Sequence, residues 1–236
     1  MDYRYATVAL APILLAQGLK VRRITPRLPE PPGPRTGSAG QGPALRLLIA
    51  GDSAAAGVGA ASQAEGLSGC LVGALQAEFS VSWTTNACTG LRTLGVLTRL
   101  ESVPAADFDV AVLSAGVNDV TGGTRSHAFV AQQRRLVALL KARFGVRLIL
   151  LTGLPPMHAF PALPQPLRWC LGARAQAFTR LLEAVVAADA DCELVTPHLP
   201  LDAAYMATDG FHPGPPAYAQ WGREAAAVIR RRLALA

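Results

Sequence analysis

The sequence predicts an α/β fold, a parallel sheet covered by helices on both faces, and three observations carry that expectation. From Leu45 onward, short apolar runs alternate with amphipathic stretches of helical period. The first run, Leu45–Ala50, is apolar apart from Arg46 and ends in Gly51, as suits a strand buried on both faces. With 236 residues, 51% of them hydrophobic and 16% charged, the chain can bury the core of one large domain.

The elements follow in order. A helix is expected from about Ser62 to Phe79, with Leu67, Cys70, Leu71, Ala74 and Leu75 on one face. Further strands are expected at Val81–Ala87, Val110–Ala115, Val146–Thr152 and Glu193–Thr196, with helices near Arg125–Phe144 and Arg168–Ala188 between them. A last helix opens near Pro215 and Pro216, where proline suits the first turn, and carries the stripe Tyr218, Trp221, Ala225, Val228 and Ile229. Repeated β-α units imply parallel strands. Ligands of such sheets bind beyond the carboxyl ends of the strands, so functional residues are expected just after them. Pro155 to Trp169, including Phe160, reads as a long loop that either lines an acyl or alcohol pocket or covers the core.

Residues 1–43 read as a separate segment, with the main domain at 44–236. The apolar run Tyr5 to Leu19 contains Pro12 and is shorter than the ~20 residues of a membrane span. Arg4 is offset by Asp2, the other bases follow the run, and no A-x-A cleavage site is clear. The preferred reading is a short helix packed on the domain or lying at a membrane surface. The cytoplasm is the expected compartment, with peripheral membrane attachment and export as alternatives. Thr25 to Ala44 is rich in proline and glycine; it suits neither a helix interior nor a central strand, and is expected to be a linker or extended arm.

Charge and cysteine content narrow the function classes. The net charge is +6, of which the first 43 residues carry +4. The body is left with little excess positive charge, which argues against nucleic-acid binding. Arg230-Arg231-Arg232 reads as a solvated helix end. Cys70, Cys88, Cys170 and Cys192 form no C-x-x-C pair and no Cys/His cluster at zinc spacing, so free thiols are preferred.

Four short signatures fall at the strand ends. Gly51-Asp52-Ser53 follows the first strand and Gly90 the second; Gly116-Val117-Asn118-Asp119 follows the third, and Asp209-Gly210-Phe211-His212 precedes the last helix. A fixed triplet such as Gly-Asp-Ser arises by chance in about one chain in thirty, so it is the ordered set that carries weight. In that order and over nearly all of the chain from Leu45, the sequence resembles the SGNH/GDSL hydrolases. It departs from their pattern at Ala54-Ala55-Ala56-Gly57, where leucine often follows the serine, and at Gly214-Pro215-Pro216. Both departures surround the catalytic side chains without replacing them, and so bear on the substrate.

The resemblance implies a three-layer α/β/α sandwich with five parallel strands in the flavodoxin-like order 2-1-3-4-5. It also implies serine-esterase chemistry. A serine hydroxyl is a poor nucleophile until a base takes its proton. Ser53 would attack, His212 accept the proton, and Asp209 orient the imidazole. Backbone N–H groups of Ser53 and Gly90, with the side-chain amide of Asn118, would form the oxyanion hole. Asp52 and Asp119 are expected to hydrogen-bond the loops that hold Ser53 and Asn118. The expected reaction is hydrolysis of short-chain acyl or acetyl esters through an acyl-serine, with no metal or organic cofactor. Thioester or carbohydrate acetyl-ester cleavage by the same triad is the alternative chemistry, and a non-catalytic small-ligand-binding protein the alternative class. The blander readings are Ser53 as a helix cap, Asn118-Asp119 as a turn, and His127, His158 and His198 as structural or surface residues.

Overall fold

The computed structural model describes residues 3–234 apart from Leu199 and Leu201; Met1 and Asp2 of the expected N-terminal segment lie outside the described residues. Two helices, α1 (Tyr3–Ala9) and α2 (Ala11–Ile24), open the chain. The elements that follow are β1 (Thr36–Ala39), β2 (Ala44–Gly51), α3 (Leu67–Leu75), β3 (Ser80–Ala87), α4 (Thr93–Ser102), β4 (Val110–Ser114), α5 (Val117–Thr121) and α6 (Ser126–Phe144). The chain ends with β5 (Leu148–Thr152), α7 (Leu167–Val186), β6 (Cys192–Val195) and α8 (Pro215–Ala234).

The sheet order is β1-β3-β2-β4-β5-β6. Its five parallel strands run in the expected order, with the first apolar run as β2. The strand count is corrected from five to six, because β1 adds an antiparallel edge with Thr36 opposite Thr84 and Ala39 opposite Val81. This strand lies inside the Pro/Gly-rich stretch. An edge strand tolerates proline and glycine nearby because only one of its sides must pair.

Two apolar layers flank the sheet. Leu67, Leu71 and Leu75 of α3 pack with Tyr218, Trp221 and Ile229 of α8 on one face. On the other, Leu97 and Leu100 of α4, Phe129 and Leu136 of α6, and Phe178 and Leu182 of α7 form the second layer. Helix α3 is shorter than expected, since Gly66 caps it and residues before it form turns. Helix α4 was not expected, although Val96, Leu97 and Leu100 bury one face of it.

Leu14 is the buried residue of α2 and packs into the second layer. Gln17 fastens this helix to the start of α7 by accepting from Leu167 N at 3.1 Å and donating to Gln165 O at 2.7 Å. No helix among the described residues is long and apolar enough to cross a membrane. The arginine run at the end of α8 is partly exposed, as expected of a solvated helix end, and also paired: Arg230 with Glu78, and Arg231 and Arg232 with Glu193. These pairs tie α8 to the segment after α3 and to β6. All four cysteines are free thiols, Cys170 and Cys192 buried.

Candidate active site

Strand register brings the signatures together. Gly51 lies opposite Ala87 on one side and Ser114 on the other, so the segments beyond β2, β3 and β4 leave the sheet at one level. Gly51 stands at φ +154°, and a Cβ there would meet the Ser114 carbonyl oxygen at 2.0 Å; a glycine is required. The chain then turns tightly, with Asp52 N donating to Ser114 O at 2.9 Å and Val58 N to Ser53 O at 3.0 Å. Helix α3 begins well beyond this turn, so Ser53 does not cap it.

The Ser53 hydroxyl instead meets His212: Oγ lies 2.9 Å from Nε2. The other ring nitrogen, Nδ1, lies 2.5 Å from Asp209 Oδ2. Asp209 Oδ1 accepts from the backbone N–H of Phe211 at 2.9 Å and of His212 at 3.0 Å. The carboxylate is buried, which raises its pKa. The His212 ring and the two N–H groups outweigh that and hold it below the usual value, so Asp209 stays ionised beside the ring. A fixed Nδ1 partner sets the tautomer that leaves Nε2 free to accept a proton.

Two backbone N–H groups nearby, those of Ser53 and Gly90, donate to no acceptor among the described residues. Gly90 sits at φ +82°, and a Cβ on it would meet nothing within 4 Å. The glycine is thus required by its backbone conformation, with open space where a Cβ would stand. Asn118, in α5, donates through Nδ2 to Leu91 O at 3.0 Å, which leaves one amide hydrogen for another acceptor.

The buried aspartates brace these loops. Asp52 Oδ1 accepts from Ala54 N at 3.1 Å. Burial drives the Asp52 carboxyl up to about 7, against the Ala54 bond and the His212 ring, with the Asp119 charge adding to the rise. Asp119 Oδ2 accepts from both Thr93 N and Thr93 Oγ1 at 2.8 Å, and Gln133 donates to the same hydroxyl at 3.1 Å. Asn118 and Asp119 therefore lie in helix α5, not in a turn, and Asp119 anchors α4 to α5.

Contacts from the N-terminal segment were not foreseen. Glu30 Oε1 accepts from Thr89 N and Thr89 Oγ1, both at 2.7 Å, immediately before Gly90, and its second oxygen pairs with Arg35. Gln63 Nε2 joins Pro31 O at 3.1 Å to Ala56 O at 3.0 Å, next to the serine turn. Glu30 stands out in the sequence as the one acid between Tyr3 and Asp52, and that isolation was the available signal.

A cavity of about 320 Å³ opens on Ser53 and His212. Its walls are largely apolar, with Leu154, Pro155, Pro156, Phe160 and Pro161 supplied by the loop after β5, so that loop lines a pocket. Buried Thr152 Oγ1 and Trp221 Nε1, whose residues also line it, have no hydrogen-bond partner among the described residues. His127, His158 and His198 are exposed and lie outside this cavity. No group of three His, Cys, Asp or Glu side chains among the described residues converges as a metal site.

Comparison with known proteins agrees with this architecture. A GDSL-like esterase of Mycobacterium tuberculosis is 28% identical over 230 residues, covering 88% of this chain and 72% of that protein. A lipolytic protein of the G-D-S-L family from Veillonella parvula superposes with a TM-score of 0.62 at 15% identity, over 79% of this chain and 98% of that one. The psychrotrophic esterase EstA from a Pseudoalteromonas species gives 0.62 at 20% identity, over 80% and 98%. The model of the GDSL-like lipase/acylhydrolase family matches residues 49–220, from β2 to within α8. The chain belongs to that family and is a carboxylic ester hydrolase.

Proposed function

We propose that this hydrolase cleaves short-chain acyl or acetyl esters by two-step acyl transfer through Ser53. The observation that carries the reading is the unbroken line Ser53 Oγ–His212 Nε2 at 2.9 Å and His212 Nδ1–Asp209 at 2.5 Å. Oγ attacks the ester carbonyl as Nε2 takes its proton, and ionised Asp209 stabilises the imidazolium. The oxyanion is met by the N–H groups of Ser53 and Gly90 and by the amide of Asn118. The protonated His212 then protonates the leaving alcohol, and a water activated by the same ring releases the acid.

The cavity of about 320 Å³ lies at the small end of ligand pockets, which favours a short acyl group. Its proline-rich and largely apolar lining favours an aliphatic or aryl ester over a sugar ester. A panel of 4-nitrophenyl esters graded from acetate to decanoate tests the reading. The acetate should be turned over, and Ser53→Ala should lower kcat/KM by several orders of magnitude. Undiminished turnover in Ser53→Ala would sink it.

A further inference from the structure

A second apolar groove, of about 660 Å³, runs between α2 and α7. It is lined by Leu14, Gly18 and Arg22 of α2, by Leu167, Leu171 and Arg174 of α7, and by Asn118 and Phe211, so two arginines interrupt a mostly apolar wall. Phe211 alone among the described residues lines both this groove and the Ser53 cavity. Its ring meets Phe160 edge-on at 5.2 Å and His212 at 5.5 Å, so it stands as a partition beside the triad. On the far side of that partition, Asn118 borders the groove directly.

The groove also has exposed apolar surface to cover. Leu15 and Leu19 line it, yet are 66% and 59% exposed. Apolar side chains left in water along a groove that also reaches Asn118 and Phe211 are suited to an apolar ligand that covers them. Gln17 holds α2 against α7, so the groove is a fixed feature of the fold.

We propose that the α2–α7 groove is a subsite for an apolar chain of the ester substrate, entered past Phe211 and Asn118, with Phe211 and Gly18 setting the length of chain accepted. This rests on the Ser53 esterase chemistry above, not on its short-acyl preference, and deepens it. Either ester half can supply such a chain. One continuing past Asn118 on the acyl side or on the alcohol side would run along the same wall.

Gly18 allows a direct test, because a Cβ there meets nothing within 4 Å and a larger side chain enters open groove. Two ester series separate the sources: 4-nitrophenyl esters from acetate to dodecanoate, and acetates of n-alkanols from ethanol to dodecanol. The readout is the ratio of kcat/KM for the long-chain ester to that for the shortest in each series, with thermal melting as a folding control. Gly18→Phe should lower the ratio at least tenfold in one series, and Phe211→Ala should raise it in that same series. The responding series identifies the chain as acyl or alkyl. Where wild type turns over too little long-chain ester, Gly18→Phe is read in the Phe211→Ala background. Chain-length profiles unchanged by Gly18→Phe in both series would overturn the subsite while leaving the esterase reading intact. Wild-type protein inactive on every ester, acetates included, would overturn both.

Discussion

In the Ser53–His212 corner of the site, each contact that orients the base lies within the four residues Asp209 to His212, and one contact joins them to the serine turn. In the Gly90–Asn118 corner, the bracing groups come from Glu30, Thr89, Thr93, Asp119 and Gln133, spread over a hundred residues of chain. In the proposed mechanism the first corner is the proton relay, and its partners are in hydrogen-bond contact. The second holds its loops from outside and leaves N–H groups unspent, with the Asn118 amide partly engaged on Leu91. A proton relay needs fixed partners in the resting state, whereas an oxyanion hole needs donors that remain free until charge develops.

Substitutions on each side can break or sharpen that contrast. The largest effect is expected on the relay side. Asp209→Asn removes the charge that stabilises imidazolium and disturbs the tautomer, so kcat should fall by about 10³–10⁴-fold. Steady-state kinetics will read it, and a loss under tenfold would show that His212 is held by something else.

Next comes the oxyanion side. Asn118→Asp nearly keeps the shape but sets an ionised carboxylate against the developing negative charge. It should lower kcat by about 10²–10³-fold with little change in KM, while Ser53 still reacts slowly with a phosphonate. Near-wild-type kcat in a folded Asn118→Asp protein would reduce Asn118 to a structural residue.

The N-terminal brace should matter less. Glu30→Gln weakens the charge-assisted bonds to Thr89 N–H and hydroxyl. If Gly90 is positioned through Thr89, kcat should fall by up to about tenfold, because small misplacements are felt at the reacting atoms. Unchanged kcat would confine the N-terminal segment to stability.

The smallest effect is on pH and stability. Asp52 has its folded pKa raised to about 7 by burial, so between the ordinary carboxylate range and that value the unfolded chain binds fewer protons than the folded one. Its contribution to stability therefore falls as pH rises across this window. Asp52→Asn keeps an acceptor for Ala54 N, so melting measured from pH 4 to 8 should decline less than in wild type. An identical decline would show that Asp52 does not titrate there.

The same contrast explains what could be read from the residues alone. Asp209 and His212 sit three apart, and Ser53, Gly90 and Asn118 follow strands, so local spacing and strand-end position betray them. The parallel strands were equally legible, because Leu47–Ala50 and Val110–Leu113 are apolar throughout. Glu30 acting on Thr89, and Gln63 joining Pro31 to Ala56, depend on where distant segments meet in space. No periodicity encodes such meetings. Strand β1 was hidden for a related reason: Thr36–Ala39 has no apolar alternation, and its pairing is supplied by β3. The pocket role of the loop after β5 stayed open until Phe160 and its prolines were placed beside Ser53.

The account stands or falls on Ser53 as the atom that becomes acylated. Reaction of the folded protein with a fluorophosphonate, followed by intact-mass measurement and peptide mapping, tests this most directly. The expected result is one adduct per chain, on Ser53, and none in Ser53→Ala. Ester turnover that persists after complete phosphonylation of Ser53, or a stable adduct that maps to another residue, would contradict the account.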